Sequence, residues 1–209
     1  MNRHMTIEEI LKKRKQTKFY DLTNYPNKNE IESIINKTFE LTTSKQNLYP
    51  YKIHILGPDQ KQYKKDFYDI VCYQKGGYPN VNVPTSPYCL LFTLKLLKNV
   101  PKVIQDRIKD GHTYSLLDPK KYKKHKWEAA IEIGMFAKVL TSLLLEKNID
   151  VSYTGCFPSY DDNKEIWKKL PFIDDTVIFS MQFGYKFGDN IKKKDLEPKP
   201  EKNEVINWV

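Results

Sequence analysis

WEAAIEIGMFAKVLTSLLLEK, from Trp127 to Lys147, is the most apolar long segment of this 209-residue chain. Wrapped as a helix, it leaves only a narrow polar stripe, formed by Glu128, Glu132, Lys138, Ser142 and Glu146. A helix that is apolar around most of its circumference must be covered on most sides. We therefore predict a long helix in the middle of a domain or in a dimer interface.

Working outward from this helix, the sequence predicts both further helices and strands. Thr6-Ile7-Glu8-Glu9 has the form of a capping box, which marks the start of a helix. Its apolar face carries Ile7, Ile10 and Leu11, and the next position on that face is Arg14. Two more helices are predicted at 27–41 and 59–71, and strands at 51–55, 88–94 and 176–185. Segments 42–50 and 76–87 have turn and loop composition, and 99–126 has no clear periodicity.

The end of the chain combines two unlike segments. Residues 192–203 are charged and contain two prolines, so they cannot form a core, yet the chain closes with the apolar residues 205–209. An apolar end after an extended arm must be buried, either on its own domain or on a partner subunit. Because helices and strands are mixed without regular βαβ alternation, the fold class is α+β, and we expect one domain over 1–209 with an arm from about 186.

Bulk composition excludes several classes of protein. With 40% hydrophobic and 29% charged residues, the chain is typical of a globular protein rather than a disordered one. The net charge of +9 would suit an anionic partner, but no nucleic-acid recognition motif accompanies it. Three widely spaced cysteines, no signal-like N-terminus and a charge-interrupted apolar helix indicate a cytoplasmic protein without a membrane span.

Familiar catalytic and binding motifs are missing from the sequence. The four histidines lack partners at metal-ligand spacing, so we predict no metal site. There is no G-x-G-x-x-G fingerprint, Walker loop or G-x-S-x-G turn. If the protein uses a phosphorylated cofactor, cationic side chains must hold the phosphate.

Arg14 is the leading candidate for that task. It lies on the apolar face of the first helix, where a guanidinium is costly without a partner. A phosphate would satisfy it with paired hydrogen bonds. The cations at 12–15 could instead simply complement the negative end of the helix dipole.

Four short segments, in order, resemble the nitroreductase family. Arg14, Lys18 and the following aromatic residues Phe19 and Tyr20 are similar to the family's R-x-S-x-R/K-x-F/Y, with Gln16 in place of Ser. The segment 43–51, TSKQNLYPY, resembles P-S-x-x-N-x-Q-P-W through Ser44, Asn47, Pro50 and Tyr51.

The remaining two segments lie near the end of the chain. Phe183-Gly184-Tyr185 resembles the family's G-Y-P, and 193–197, KKDLE, resembles its closing R-x-P-L-E with Lys193 replacing Arg. A turn at Thr154-Gly155 follows the long helix, as it does in the family.

The resemblance implies an α+β sandwich with a mixed or antiparallel central sheet flanked by helices. It further implies a homodimer formed through the central helices and embraced by the terminal arms. Two FMN molecules would bind at the interface, with NADH or NADPH as reductant and a nitroaromatic or quinone as acceptor. The flavin N5 would carry the chemistry, so no catalytic acid, base or nucleophile is expected.

The resemblance also assigns roles to residues of the cofactor site. Arg14 and Lys193 would hold the phosphate with help from Gln16, and Lys18 would lie near the pyrimidine side of the ring. The Thr154 and Gly155 backbone would address N5, and Asn47 would reach the ring edge from the other subunit. Lys15 and Ser44 are either further contacts or plain surface and turn residues.

Three alternatives stay open at this point. The fold could support a different flavin reaction, set by residues in 72–126. The departures at Gln16 and Tyr49 leave room for a flavin-binding protein without turnover. The net charge alone leaves a nucleic-acid-binding module as a remote third.

Overall fold

The computed structural model describes residues 5–72, 82–95, 101–112, 122–156, 158–188 and 200–207. Its helices are α1 (Ile7–Lys13), α2 (Lys28–Leu41), α3 (Lys61–Cys72), α4 (Asn82–Thr85), α5 (Lys102–Lys109), α6 (Tyr122–Glu146), α7 (Lys164–Trp167) and α8 (Lys202–Val205). Its strands are β1 (Tyr51–Leu56), β2 (Tyr88–Leu94), β3 (Asp150–Thr154) and β4 (Val177–Gly184), and a 3-10 turn spans Lys45–Asn47.

Side-chain caps start the first two helices where the sequence predicts them. The Thr6 hydroxyl accepts from the Glu9 amide at 3.2 Å, and the Glu9 carboxylate accepts from the Thr6 amide at 2.7 Å. This reciprocal pair satisfies two of the free amides at the helix end and confirms the capping box. Asn27 caps α2 in the same way, accepting from the Glu30 amide at 2.9 Å.

The four strands form one antiparallel sheet in the order β1-β2-β4-β3. Every residue of β2 is buried, as its uninterrupted apolar sequence predicts for a central strand. The C-terminal end of β4 passes very close to the turn before β2, since a Cβ on Gly184 would lie only 2.3 Å from Pro87 Cγ.

Two apolar clusters cover the two faces of the sheet. On one face α2 and α6 pack through residues such as Ile31, Phe136 and Leu140. On the other face α3 and α7 pack through residues such as Phe67 and Trp167. The result is an α+β sandwich with an antiparallel sheet, which confirms the predicted fold class.

The long helix α6 departs from prediction at its start. It begins at Tyr122, five residues before the predicted start at Trp127. One side of it is uncovered in this single chain, with Trp127, Ile131 and Met135 exposed by 75%, 62% and 45%. Despite the length of α6, no helix within the described ranges is long and apolar enough to cross a membrane.

Several smaller predictions are wrong, each for a local reason. Residues 82–85 form α4 instead of a loop, because buried Asn82 and Val83 anchor them. The apolar spacing of α3 predicts that Tyr63 is buried beside Phe67, Ile70 and Val71, but Tyr63 is exposed. Lys64 is buried in its place, because its amino group donates to two backbone carbonyls. On α1, the predicted apolar face is only partly buried, because Ile10 is buried but Ile7 is exposed.

After β4 the chain returns to the segment that follows α1. The Asp21 backbone amide donates to the Tyr185 carbonyl at 2.8 Å, and the Phe187 backbone amide donates to the Phe19 carbonyl at 3.0 Å. Most of the predicted arm, including Lys193, lies outside the described residues. Within 200–207 the side chains of Val205 and Ile206 are exposed in the single chain, so they are not buried on their own domain, and burial on a partner subunit stays a prediction.

Candidate functional site

The segment that follows α1 runs beside the edge strand β3. Gln16 holds it there, because its side-chain amide donates to the Tyr153 carbonyl at 2.8 Å and accepts from the Tyr153 amide at 3.2 Å. Thr17 adds a longer backbone bond of 3.5 Å to the Val151 carbonyl. These contacts fix the position of Arg14, the residue at the C-terminal end of α1.

Arg14 carries a half-buried guanidinium without an acidic partner in the described part of the chain. Its central carbon lies 4.3 Å from the centroid of the Tyr153 ring, a cation–π contact. Its Nη2 donates to the Gln16 side chain at 3.4 Å, and its buried Nε has no hydrogen-bond partner among the described residues. A buried donor left unpaired costs about 1–3 kcal/mol, so this group is suited to receive an oxyanion.

Further cations surround the same corner of the molecule. A cleft of about 540 Å³ is lined by Lys12, Lys13, Lys15, Leu145, Asn148, Asp150, Tyr185 and Lys186, and is named here the basic cleft. Burial raises the pKa of Asp150 in this cleft, while Lys186 and Lys13 act in the opposite direction. Lys15 and Lys18 are exposed, and the Lys18 carbonyl accepts from the Thr85 hydroxyl at 3.2 Å.

The turn at Thr154-Gly155 lies at the end of β3, one residue beyond Tyr153. Thr154 is buried and Gly155 is exposed. The Thr154 hydroxyl donates to the Gln182 side chain at 3.1 Å. The Thr154 backbone carbonyl accepts from the Ser180 hydroxyl at 3.0 Å. Thr154 therefore holds the turn from its buried side, and the backbone of Gly155 is accessible on its exposed side.

Behind this turn lies a buried polar cluster, formed by Tyr20, Asn82, Ser152, Thr154, Ser180 and Gln182. Asn82 donates to the Gln182 side chain at 2.8 Å, which ties α4 to β4. The Tyr20 hydroxyl donates to the Gln182 carbonyl at 2.9 Å. Burial raises the pKa of Tyr20 strongly, so its phenol stays protonated and acts as a hydrogen-bond donor.

Apart from Thr154, this polar cluster is not among the site residues predicted from the sequence. A signal was present, because Ser152 and Thr154, like Ser180 and Gln182, are polar residues at alternate positions of otherwise apolar strands. Two residues apart on a strand means the same face of the sheet. Adjacent strands β3 and β4 place both pairs together.

Asn47 lies on the 3-10 turn before β1, and Ser44 directly precedes that turn. The Ser44 hydroxyl donates to the Glu132 carboxylate at 2.6 Å and accepts from the Tyr49 amide at 2.8 Å. Asn47 is exposed, with a left-handed backbone at φ 55°. Both hydrogen bonds of the Ser44 hydroxyl therefore stabilise the turn.

The predicted site residues fall into two groups. The bonds through Tyr153 bring Arg14, Gln16 and the Thr154-Gly155 turn together, with Lys15 and Lys18 on the same segment. No hydrogen bond in the described ranges joins Ser44 or Asn47 to that group. Lys193 cannot be assigned to either group, since it lies outside the described residues.

Comparison with known proteins identifies the fold through structure and not through sequence. No family model matches the chain, and a search of curated proteins finds no match. A proposed NAD(P)H:FMN oxidoreductase from Staphylococcus epidermidis has a TM-score of 0.74 at 16% identity, covering 100% of this chain and 98% of that chain.

Two further solved structures extend this comparison. A proposed nitroreductase from Exiguobacterium sibiricum, solved in complex with FMN, has a TM-score of 0.70 at 15% identity and covers 98% of both chains. An enone reductase of gut-bacterial fatty acid saturation, CLA-ER, has a TM-score of 0.69 at 13% identity and covers 97% of both chains. The chain therefore has the nitroreductase fold, which confirms the fold predicted from the resemblance.

Proposed function

We propose that this protein is an FMN-dependent oxidoreductase that takes a hydride from NADH or NADPH and reduces a small acceptor such as a nitroaromatic or a quinone. The observation that carries the proposal is the Arg14 guanidinium, half-buried with an unpaired Nε beside the Thr154-Gly155 turn. Neighbours with this fold are described as NAD(P)H:FMN oxidoreductases and nitroreductases, and one is bound to FMN.

The donor set near Arg14 suits the phosphate of FMN. The planar guanidinium can donate two parallel hydrogen bonds to a phosphate, which would satisfy the buried Nε. Gln16 would support this contact by holding the segment against Tyr153, and Lys15 and Lys193 would add positive charge. Lys18 would lie near the pyrimidine side of the ring, where a cation favours negative charge on the reduced flavin.

The Thr154-Gly155 turn supplies the other end of the proposed site. Bound FMN supplies hydride transfer through N5, and no acid, base or nucleophile of the chain is assigned to that chemistry. The chain's part is to orient the ring with backbone groups of Thr154 and Gly155. The bonds from Thr154 to Gln182 and Ser180 keep these groups in place.

A second copy of the chain completes the proposal. The exposed stripe of Trp127, Ile131 and Met135 on α6 is a surface that a partner helix would bury. The arm from about 186, ending in exposed Val205 and Ile206, would wrap that partner as part of a single domain over 1–209. Asn47 would then contact the flavin of the partner subunit. All three cysteines are free, which suits a reducing, cytoplasmic setting.

The first test is the colour of the purified protein. We expect a yellow preparation that releases FMN on denaturation and is bleached without oxygen by NADH or NADPH. A colourless protein that also fails to bind added FMN would contradict the proposal. A yellow protein that neither nucleotide bleaches would identify a flavin-binding protein without turnover.

The second test is the substitution Arg14→Ala. Loss of a charge-assisted contact of about 1.5–3 kcal/mol should raise the FMN Kd by roughly 10–100-fold. Arg14→Lys should have an intermediate effect, because it retains the charge and loses the planar fork. The control is Lys168→Ala, which removes an exposed cation that pairs with Glu165 away from Arg14. Unchanged FMN retention in Arg14→Ala would mean that the phosphate is held elsewhere.

Enone reduction is a second candidate activity, favoured by the structural similarity to an enone reductase. The same flavin chemistry would deliver the hydride to an activated carbon–carbon double bond. Turnover with a nitroaromatic, a quinone and an α,β-unsaturated ketone, each with NADH and NADPH, separates the candidates. A clear preference for the ketone would replace the nitroaromatic or quinone assignment.

A further inference from the structure

Glu132 is a buried carboxylate that the proposed cofactor chemistry does not use. It lies on α6, in the stripe that the sequence predicts to be polar, and is only 9% exposed. Its two oxygens accept from the Ser44 hydroxyl at 2.6 Å and from the Lys45 backbone amide at 3.0 Å. Because a buried carboxylate is costly unless it is hydrogen-bonded, these two contacts explain why it is tolerated there.

Both contacts hold the turn that carries Asn47. Ser44 precedes the 3-10 turn and has no side-chain capping bond within it. Glu132 on α6 accepts a hydrogen bond from the Ser44 hydroxyl and so fixes its position. The same hydroxyl accepts from the Tyr49 amide at 2.8 Å, which connects Glu132 to the other end of the turn. The turn is thus fixed from a helix 88 positions away in sequence.

The turn needs such an anchor because its backbone is strained. Asn47 and Tyr49 have φ angles of 55° and 44°, in the left-handed region that non-glycine residues rarely adopt. Such conformations persist only where surrounding contacts enforce them. Tyr49 contributes one contact by donating from its hydroxyl to the Thr42 carbonyl at 2.8 Å, and Glu132 contributes two more.

We propose that Glu132 is a positioning residue, which holds the Ser44–Tyr49 turn so that Asn47 is presented to the flavin of a partner subunit. This inference rests on the proposed FMN function. Glu132 directly follows Ile131 of the exposed stripe, so one helix would carry both the subunit contact and the anchor of the turn. It also assigns Ser44 to the turn and not to the cofactor.

The test compares FMN affinity in Glu132→Ala, Asn47→Ala and the double variant. If Glu132 acts through Asn47, each single variant should weaken FMN binding by roughly tenfold, and the double variant should be no weaker than Asn47→Ala alone. The FMN affinity of Glu132→Gln should lie between those of the wild type and Glu132→Ala, because an amide retains one acceptor oxygen. The control Glu128→Gln, one helical turn earlier and 4.0 Å from the Lys45 amino group, should bind FMN as the wild type does.

A second readout does not depend on FMN. Amide hydrogen exchange over 44–49 should be faster in Glu132→Ala and unchanged in Glu128→Gln, with the rest of the protein protected as before. If Glu132→Ala does not fold, Ser44→Ala removes one of the two Glu132 contacts together with the bond from the Tyr49 amide, and should also speed exchange over 44–49.

The outcomes separate the two proposals. Additive effects on FMN affinity, or an unchanged exchange rate over 44–49, would overturn the role of Glu132. A wild-type protein that does not bind FMN would overturn the proposed function, and the inference with it. In that case, faster amide exchange over 44–49 in Glu132→Ala would show only that Glu132 holds the turn.

Discussion

At the scale of single residues, Lys64 shows how burial makes the charge of a side chain matter for stability. The residue is 2% exposed, and its amino group donates to the Ser86 and Pro87 carbonyls at 2.7 and 3.0 Å. Burial lowers the pKa of Lys64 from an ordinary 10.5 to about 8. It therefore titrates in the folded protein at a pH where it remains charged in the unfolded chain.

The direction of the pH effect follows from this difference. Between about pH 8 and 10.5 the unfolded chain binds more protons at this position than the folded protein does. The contribution of Lys64 to the free energy of unfolding should therefore rise across this range and stay constant below it. In Lys64→Met this rise should be absent, as measured by urea unfolding at about pH 7, 9 and 10. A wild-type-minus-variant difference that does not change with pH would contradict the prediction.

Single residues of the site differ in how far the sequence predicts them. Arg14 could be found because a cation on an apolar helix face is unusual. Glu132 could not, because its spacing on α6 places it with solvent-facing residues. Only the fold brings Ser44 and Lys45 over it, and no local pattern encodes a contact over such a distance.

At the scale of elements, the capping box of α1 has a consequence beyond its own helix. It sets where α1 starts, and the helix ends at Arg14, whose side chain then reaches the Tyr153 ring. Thr6→Ala removes the hydroxyl that caps the helix and should lower the free energy of unfolding by about 0.5–2 kcal/mol. Urea unfolding at a fixed protein concentration measures this change.

The matched control keeps the hydroxyl. Thr6→Ser can accept from the Glu9 amide in the same way, so it should unfold close to the wild type. Equal urea midpoints for the Ala and Ser variants would mean that the cap contributes nothing to stability.

The elements that the sequence predicts well have strong local signals. The strands β2 and β4 are apolar runs of strand length, and α2 has both a cap and an apolar stripe. By contrast, α4 has only four residues, and Asn82 is bound to partners on β3 and β4. Tertiary contacts specify such an element, so its composition alone predicts a loop.

At the scale of the whole molecule, the strand order β1-β2-β4-β3 is the feature least accessible to local patterns. Strand β4 inserts between β2 and β3, although β3 precedes it in the chain. The resemblance of four short segments, in order, predicts the α+β sandwich with helices on its sheet, but it does not predict this strand order. The sequence signal was real but weak, which agrees with structural neighbours at only 13–16% identity.

The exposed apolar stripe of α6 is the surface proposed to bind a second copy of the chain. The apolar stripe of Trp127, Ile131 and Met135 is exposed in the single chain, and burying such side chains contributes about 1.5–3 kcal/mol each when burial is complete. Ile131→Asp would place a charge in the middle of that contact. We expect the wild type to be dimeric by light scattering and this variant to be monomeric at the same protein concentration.

Loss of the dimer should also remove FMN, because Asn47 is proposed to act on the flavin of the partner. The control is Val103→Asp, which introduces the same charge at an exposed apolar position of α5, away from the stripe. It should remain dimeric and yellow. A wild-type monomer that binds FMN tightly, or an Ile131→Asp monomer that retains it, would show that one chain forms the whole site, and the partner contact through Asn47 would have to be abandoned.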